Sequence, residues 1–225
     1  MKKSLFFTFL MFSGFISVSF CQTIPADYEK ALWPGFRTAA VSYTFDDGCS
    51  NQFAIAMPMF DEFGFKTTLF TVTDWVTDWK NLTDAAANGH EIANHTKSHL
   101  HLNELTVLQQ SEELVSSTNL INEKIPGQKC ITMAYPFCAV GNDSLCKALY
   151  IAVRGCQGSV EAKTPASFMN VSSIICGELG SVKTAANFQT QLKTATSRSG
   201  WVVYLIHGID NDGGYSPLSS ETLRT

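Results

Sequence analysis

Short runs of β-branched and aromatic residues alternate along this chain with longer stretches whose apolar positions recur every three or four residues. The first pattern suits buried strands and the second amphipathic helices, and their alternation predicts parallel strands joined by crossover helices. Strands are predicted over 39–45, 67–73, 91–94, 131–135, 150–153 and 201–206. Helices are predicted over 52–63, 82–88, 104–124, 144–149 and 185–197. In the last helix Ala185, Phe188, Leu192 and Ala195 share one face, which should pack on the sheet. Trp201 to Ile206 is apolar throughout, as a strand covered on both faces requires. The segment Pro217-Leu218-Ser219-Ser220-Glu221 reads as a helix start capped by Ser219 or Ser220, with only about one further turn behind it. A nucleus that short does not hold by itself, so the C-terminal element is expected to be incomplete or frayed.

No repeat, linker or charge block divides the chain beyond residue 21, and 225 residues with 45% apolar content suffice for one sizeable core. A single domain over 22–225 is the expectation. Lys2 and Lys3 precede an apolar run from Leu5 to Phe20, and Ser19-Phe20-Cys21 offers a cleavage site, so residues 1–21 read as an export signal. The run is too short for a permanent membrane anchor. A lipoprotein acylated at Cys21 ranks second, because bulky Phe20 sits where that processing wants a small residue. Formal charge is −4, and losing Lys2 and Lys3 leaves 14 basic against 20 acidic residues, or −6. Nothing in this balance favours nucleic acid, and the partner is expected to be neutral or cationic. Six cysteines remain after residue 21; an oxidising compartment permits bridges, and spacing makes Cys138 with Cys146 the first pairing to expect. The alternative for each is a small buried apolar side chain.

Three segments carry chemistry. Thr44-Phe45-Asp46-Asp47-Gly48 ends the first predicted strand, where α/β sheets place reactive groups. Neighbouring carboxylates on an extended backbone point apart, so one can bind a metal while the other faces substrate. A solvated turn is the plainer reading of Asp-Asp-Gly alone. Asn94-His95-Thr96-Lys97-Ser98-His99 sets two imidazoles one helical turn apart, within reach of a single ion. Thr96 stands where a zinc protease needs its glutamate, and His101 breaks the spacing and reads as a surface residue. His207 closes the last apolar strand and should face the same rim as Asp46 and His95.

Together the three segments resemble the polysaccharide deacetylase family, the NodB-homology or carbohydrate esterase family 4 group, over roughly residues 39–209. Thr44 to Gly48 looks like its first motif, His95 to His99 like its H-[ST]-x-x-H motif, and Leu205-Ile206-His207 like its L-x-H motif. The resemblance implies a distorted (β/α) barrel of about seven parallel strands. It also implies a divalent metal held by Asp47, His95 and His99, with Asp46 as catalytic base and His207 as general acid. Zinc is the default ion, and cobalt, nickel or manganese suit the same donors. Ala134-Tyr135-Pro136-Phe137 stands in place of the family's R-x-P-[FY]. Phe137 retains the backbone N–H that would bind the oxyanion, Tyr135 borders it, and Arg154 on the next strand is the candidate for the missing arginine. Leu205 would line a pocket for the acetyl methyl group. The fourth motif, an Asp and Trp near the general acid, is not recognisable between Val171 and Gly200.

The implied activity is removal of N-acetyl groups from N-acetylglucosamine-containing poly- or oligosaccharide. The alternatives are an O-acetyl xylan esterase on the same site and a carbohydrate-binding protein of this fold without turnover. A glycoside hydrolase needs carboxylates facing each other across roughly 5–9.5 Å, which neighbours on one strand serve poorly. A serine esterase lacks its G-x-S-x-G elbow. Oligomeric state is not legible.

Overall fold

The computed structural model describes residues 31–225; the expected signal segment, 1–21, lies outside them. Seven strands, β1 (Ala40–Asp46), β2 (Thr68–Thr71), β3 (Glu91–Asn94), β4 (Thr132–Ala134), β5 (Ala152–Arg154), β6 (Ile174–Ile175) and β7 (Trp201–Ile206), form one sheet in the order β5-β4-β3-β2-β1-β7-β6. Every pairing is parallel. The sheet curls into a half-barrel, as the sequence pattern and its family resemblance led one to expect. Its two edges are drawn together by the segment before β6. There Val171 N–H donates to Val153 and its carbonyl accepts from Gly155, while Ile174 and Ile175 pair with Tyr204 and Leu205 of β7. The strand β6 escaped prediction because two residues carry no period; its pairing partner defines it.

Among the described residues six α-helices accompany the sheet: α1 (Met57–Glu62), entered through a π turn at Gln52–Ala56, then α2 (Lys80–Ala87), α3 (Val107–Lys124), α4 (Asp143–Leu149), α5 (Ala185–Ser197) and α6 (Ser220–Arg224). The start of α3 is later than predicted because Thr106 and Gln109 form a reciprocal capping box, as Thr184 and Asn187 do for α5. Phe188, Leu192 and Ala195 of α5 pack on the main core, as their spacing required. The short α6 does form: Ser219 Oγ accepts from Thr222 N–H, and Leu223 joins the core beside Leu218.

Strand parity places the site. On β1, Phe45 and Tyr43 face the helices and join the main core, whereas Ser42 and Thr44 face inward, so Asp46 does too. By the same parity Ala93 and His95 follow Glu91 inward, and Leu205 and His207 follow Val203. The interior is partly polar: Thr68 and Thr132 hydroxyls donate to Glu91 at 2.7 and 2.6 Å, and Phe70, Ala93 and Ala134 form a small apolar layer above them. A second cluster, including Leu102, Leu114, Met133, Tyr135 and Val153, fills the space under α3 and α4.

Candidate active site

The inward parity of β1, β3, β5 and β7 delivers Asp46, His95, Arg154, Leu205 and His207 to the carboxyl end of the half-barrel. With Asp47, His99, Phe137, Ile175 and Tyr215 they border a cavity of about 350 Å³. All nine site residues named from the sequence border it, although Tyr135 turns its hydroxyl away, donating to the Met169 carbonyl at 2.9 Å.

Asp47 and Gly48 both adopt positive φ, 73° and 69°, so the chain reverses immediately after β1 and swings the Asp47 carboxylate back over the barrel mouth. Donor atoms of Asp47, His95 and His99 lie within 4.8 Å of one another. The His95 ring is oriented by its Nδ1, 2.9 Å from the Ala134 carbonyl, which fixes the proton there and leaves the Nε2 lone pair toward Asp47 at 3.5 Å. His99 Nε2 is 3.4 Å from the same carboxylate oxygen.

The two histidines do not lie on a helical turn, as their spacing suggested. Thr96 and His99 have φ of 68° and 61°, and side chains take the backbone donors that a helix would have paired. Asn94 Oδ1 accepts from Thr96 N–H at 2.5 Å, and Thr96 Oγ1 accepts from His99 N–H at 3.0 Å. Glu113, reaching from α3 and 8% exposed, accepts from Lys97 N–H, Ser98 N–H and Ser98 Oγ at 3.1, 2.8 and 2.6 Å. Glu113 and Asn94 were not singled out in the sequence. A buried acid on a helix beside a motif loop was the available signal.

Arg154 sits directly opposite Ala134 in the β4–β5 register, so its guanidinium enters the barrel from the strand next to the one expected to carry it. It donates to Asp46 Oδ2 and lies over the Phe70 ring, while its other terminal nitrogen donates to Ser173 Oγ and the Gly155 carbonyl at 3.2 Å. Ser173 belongs to the segment that draws the barrel edges together, where no family motif is legible. His207 Nε2 stands 3.9 Å from Asp46 Oδ2, its ring edge-on to Tyr215. Its Nδ1 has no partner among the described residues. Gln52 ties the two strand ends together, donating to the carbonyls of Asp46 and His207 at 2.6 and 2.9 Å.

Burial opposes ionisation of Asp46, but the charges of Arg154, His95 and His207 and the Arg154 hydrogen bond together hold its pKa below the usual value. Burial and the charge of Asp46 push Asp47 up to about 7, against the pull of Arg154. Burial lowers His95 to about 4 and lowers His99 and His207, so these rings are biased to the neutral form. Neutral imidazoles are ligands. A carboxylate that burial and a like charge make reluctant to ionise gains most from a cation beside it. Asp46 Oδ1 and Asp47 Oδ1 are buried without a hydrogen-bond partner among the described residues. The donor set therefore fits a divalent ion held by Asp47, His95 and His99.

On the other wall, Phe137 and Cys138 have φ of 54° and 60°, a non-glycine left-handed pair of a kind that costs about 1–3 kcal/mol per residue. The turn is closed by Cys138 N–H to Tyr135 and Ala139 N–H to Pro136, and the Phe137 N–H has no acceptor among the described residues. The Phe137 ring stacks on His101 at 4.0 Å and lies 4.5 Å from His99, so His101 is the surface residue expected, packed against the site's rim. Cys138 is bridged to Cys156, not to Cys146. Cys146 faces the second core from α4, where helix geometry turns it away from Cys138 despite the short sequence separation.

Fold and site together define a curled parallel (β/α) barrel with a candidate metal centre at the carboxyl ends of its strands. The family profile described as polysaccharide deacetylase matches residues 35–153, more than half of the chain, and the chain belongs to that family. A gellan lyase of a Bacillus species is 31% identical over 212 residues, covering 87% of this chain and 8% of that protein. The chain thus spans a small fraction of that relative's length. The Xyl-CE4 domain of a multidomain xylanase from the hindgut metagenome of Trinervitermes trinervoides has the same fold. It gives a TM-score of 0.58 at 16% identity, covering 83% of this chain and 80% of that one. Peptidoglycan deacetylase PdaC of Bacillus subtilis gives a TM-score of 0.53 at 16% identity, with 83% and 82% covered.

Proposed function

We propose that this protein is an exported, divalent-metal-dependent hydrolase that removes N-acetyl groups from N-acetylglucosamine-containing poly- or oligosaccharide. The observation that carries the reading is the convergence of a metal-type donor triad, a guanidinium-clamped aspartate and a strand-terminal histidine on one cavity. Asp47, His95 and His99 would hold the ion, with zinc first among zinc, cobalt, nickel and manganese. Bound there, such an ion supplies Lewis acidity, acidifying water and polarising an acyl carbonyl.

The remaining work falls to the chain. Asp46, kept ionised by Arg154, takes the proton from the attacking water. The N–H of Phe137 donates to the oxyanion as it forms, a role independent of the side chain. His207, whose imidazolium the Asp46 charge 3.9 Å away favours against the burial that lowers its pKa, takes up a proton and gives it to the departing amine. Leu205, with Ile175 and Tyr215, offers the apolar wall that a methyl group fills. The preference for amide over ester rests on the family resemblance. Export rests on the reading of residues 1–21, and no helix among the described residues is long and apolar enough to cross a membrane.

The test is acetate release from chito-oligosaccharides and from acetylated xylan by metal-free protein, zinc-loaded protein and Asp46→Asn. Zinc-dependent release from the chito-oligosaccharides, reduced about 10²–10⁴-fold in Asp46→Asn, is expected. Arg154→Ala should also lose activity, and unchanged turnover there removes Arg154 from the mechanism. Faster release from xylan replaces the amide reading with the ester one. A folded, zinc-binding protein that releases nothing from either substrate with any metal counts against the hydrolase reading and favours a carbohydrate-binding protein of this fold, or a fragment of a longer enzyme.

A further inference from the structure

The Cys138–Cys156 bond joins the turn that holds Phe137 to the loop that leaves β5 just after Arg154. Cys138 directly follows Phe137, which borders the cavity and carries the proposed oxyanion donor; Cys156 lies two residues beyond Arg154, which clamps Asp46. The two loops leave neighbouring strands, β4 and β5, whose regular pairing ends at Ala134 and Arg154. Beyond that point Tyr135 N–H to the Arg154 carbonyl continues the contact, and the disulfide is the covalent tie. The Phe137–Cys138 turn is the part that needs one. Two successive non-glycine residues are held in the left-handed region, the turn is closed by two hydrogen bonds, and Phe137 is 56% exposed. Cys138 is exposed and Cys156 half-buried, so the bond is open to reagents in solution.

We propose that the Cys138–Cys156 disulfide is a positioning element of the site: it locks the strained turn that carries the Phe137 N–H to the end of β5, where Arg154 sits, and the oxidised protein is the fully competent form. The proposal rests on the deacetylase reading for its kinetic consequence, but not for its structural one. Reduction adds two electrons and two protons, giving two thiols, while a phosphine reductant is oxidised to its oxide with oxygen from water. The freed turn then relaxes toward ordinary φ and carries the Phe137 N–H away from the oxyanion position. Misplacing one such donor costs about 10–100-fold in turnover. The proposed ligands lie on other segments, and although the Phe137 ring packs 4.5 Å from His99, the turn that carries His95 and His99 is held by Asn94, Thr96 and Glu113, so ion affinity should hold.

The experiment compares three proteins: oxidised wild type, wild type reduced with tris(2-carboxyethyl)phosphine under native conditions, and Cys138→Ser/Cys156→Ser. Each is zinc-loaded and checked for folding by thermal melt. The readings are kcat and KM for acetate release, zinc affinity, and hydrogen exchange in peptides covering 135–141 and 154–158. Expected are a kcat lower by about 10–100-fold, with KM and zinc affinity within about threefold, and exchange at least tenfold faster in both peptides. A folded reduced protein with wild-type kcat and unchanged exchange overturns the proposal. If the double variant does not fold, the reduced wild type decides alone. If oxidised wild type releases no acetate, the deacetylase reading fails, and the exchange comparison still decides whether the disulfide couples the two loops.

Discussion

Glu113 is 18 residues from His95 in sequence and is not one of the proposed ligands, yet the geometry predicts that it governs affinity for the proposed ion. Its carboxylate takes three hydrogen bonds from Lys97 and Ser98, inside the five-residue turn that carries both imidazoles. Hydrogen bonds to a charged acceptor contribute about 1.5–3 kcal/mol each, and the turn also bears the strain of positive φ at Thr96 and His99. Glu113→Ala removes all three at once. Water entering the gap restores part of the loss, so we expect the turn to be destabilised by about 3–5 kcal/mol rather than the full sum. Only the part of this that separates the two rings appears in binding. Loss of outer partners of metal ligands typically weakens affinity about 10–100-fold, or about 1.4–2.7 kcal/mol. Glu113→Gln keeps one acceptor oxygen and should fall between. Zinc affinity of the three proteins, measured by competition with a chromophoric chelator, checks the order wild type, Gln, Ala. A folded Glu113→Ala whose affinity stays within threefold of wild type refutes the reasoning.

Three further perturbations rest on other contacts. Asn94→Ala removes the amide that donates to the Leu114 carbonyl, Thr118 and Tyr150 and accepts from Thr96 N–H, contacts that are buried except for the half-buried one to Thr118, so unfolding free energy by denaturant titration should fall by about 2–4 kcal/mol. An unchanged midpoint would show that water satisfies these groups. Gly214→Ala places a Cβ 2.6 Å from Cys49 Sγ and 2.7 Å from Gly208 Cα, displacing the loop that sets Tyr215 against His207. Turnover should drop about tenfold or more with the fold intact, and wild-type turnover would release Tyr215 from any role. His90 is fully buried and its Nδ1 accepts from Thr67 N–H, and burial lowers its pKa below the ordinary 6.5 against the pull of Asp61. Protonation therefore favours the unfolded chain. The stability that neutral His90 contributes is complete above about pH 6.5 and declines as pH falls below it. The stability gap between wild type and His90→Gln should narrow from pH 7.5 to 5; a constant gap counts against it.

Much of the frame was legible in the residues. Six of the seven strands announced themselves as short β-branched or aromatic runs between longer amphipathic stretches, most clearly Trp201 to Ile206, which is apolar throughout. The motif residues were legible because they end such strands, and parity then obliges Asp46, His95 and His207 to face one interior. What the chain did not disclose depends on pairing between distant segments. β6 exists only through its bonds to β7, and Ser173 acquires a role only when that segment meets β5. The histidine spacing suggested a helix, and side-chain acceptors on Asn94, Thr96 and Glu113 made a strained turn instead. Cys138 found Cys156 across two neighbouring strands, because a bridge is decided by distance in space and not along the chain. Arg154 lies in between: its residue type was suggestive, but the register that sets it opposite Ala134 is a property of the sheet. Local sequence encodes period, caps and the chemistry of each strand end, since these depend on neighbours along the backbone. Register, curl and cross-links depend on which segments touch, and the tertiary structure alone decided those.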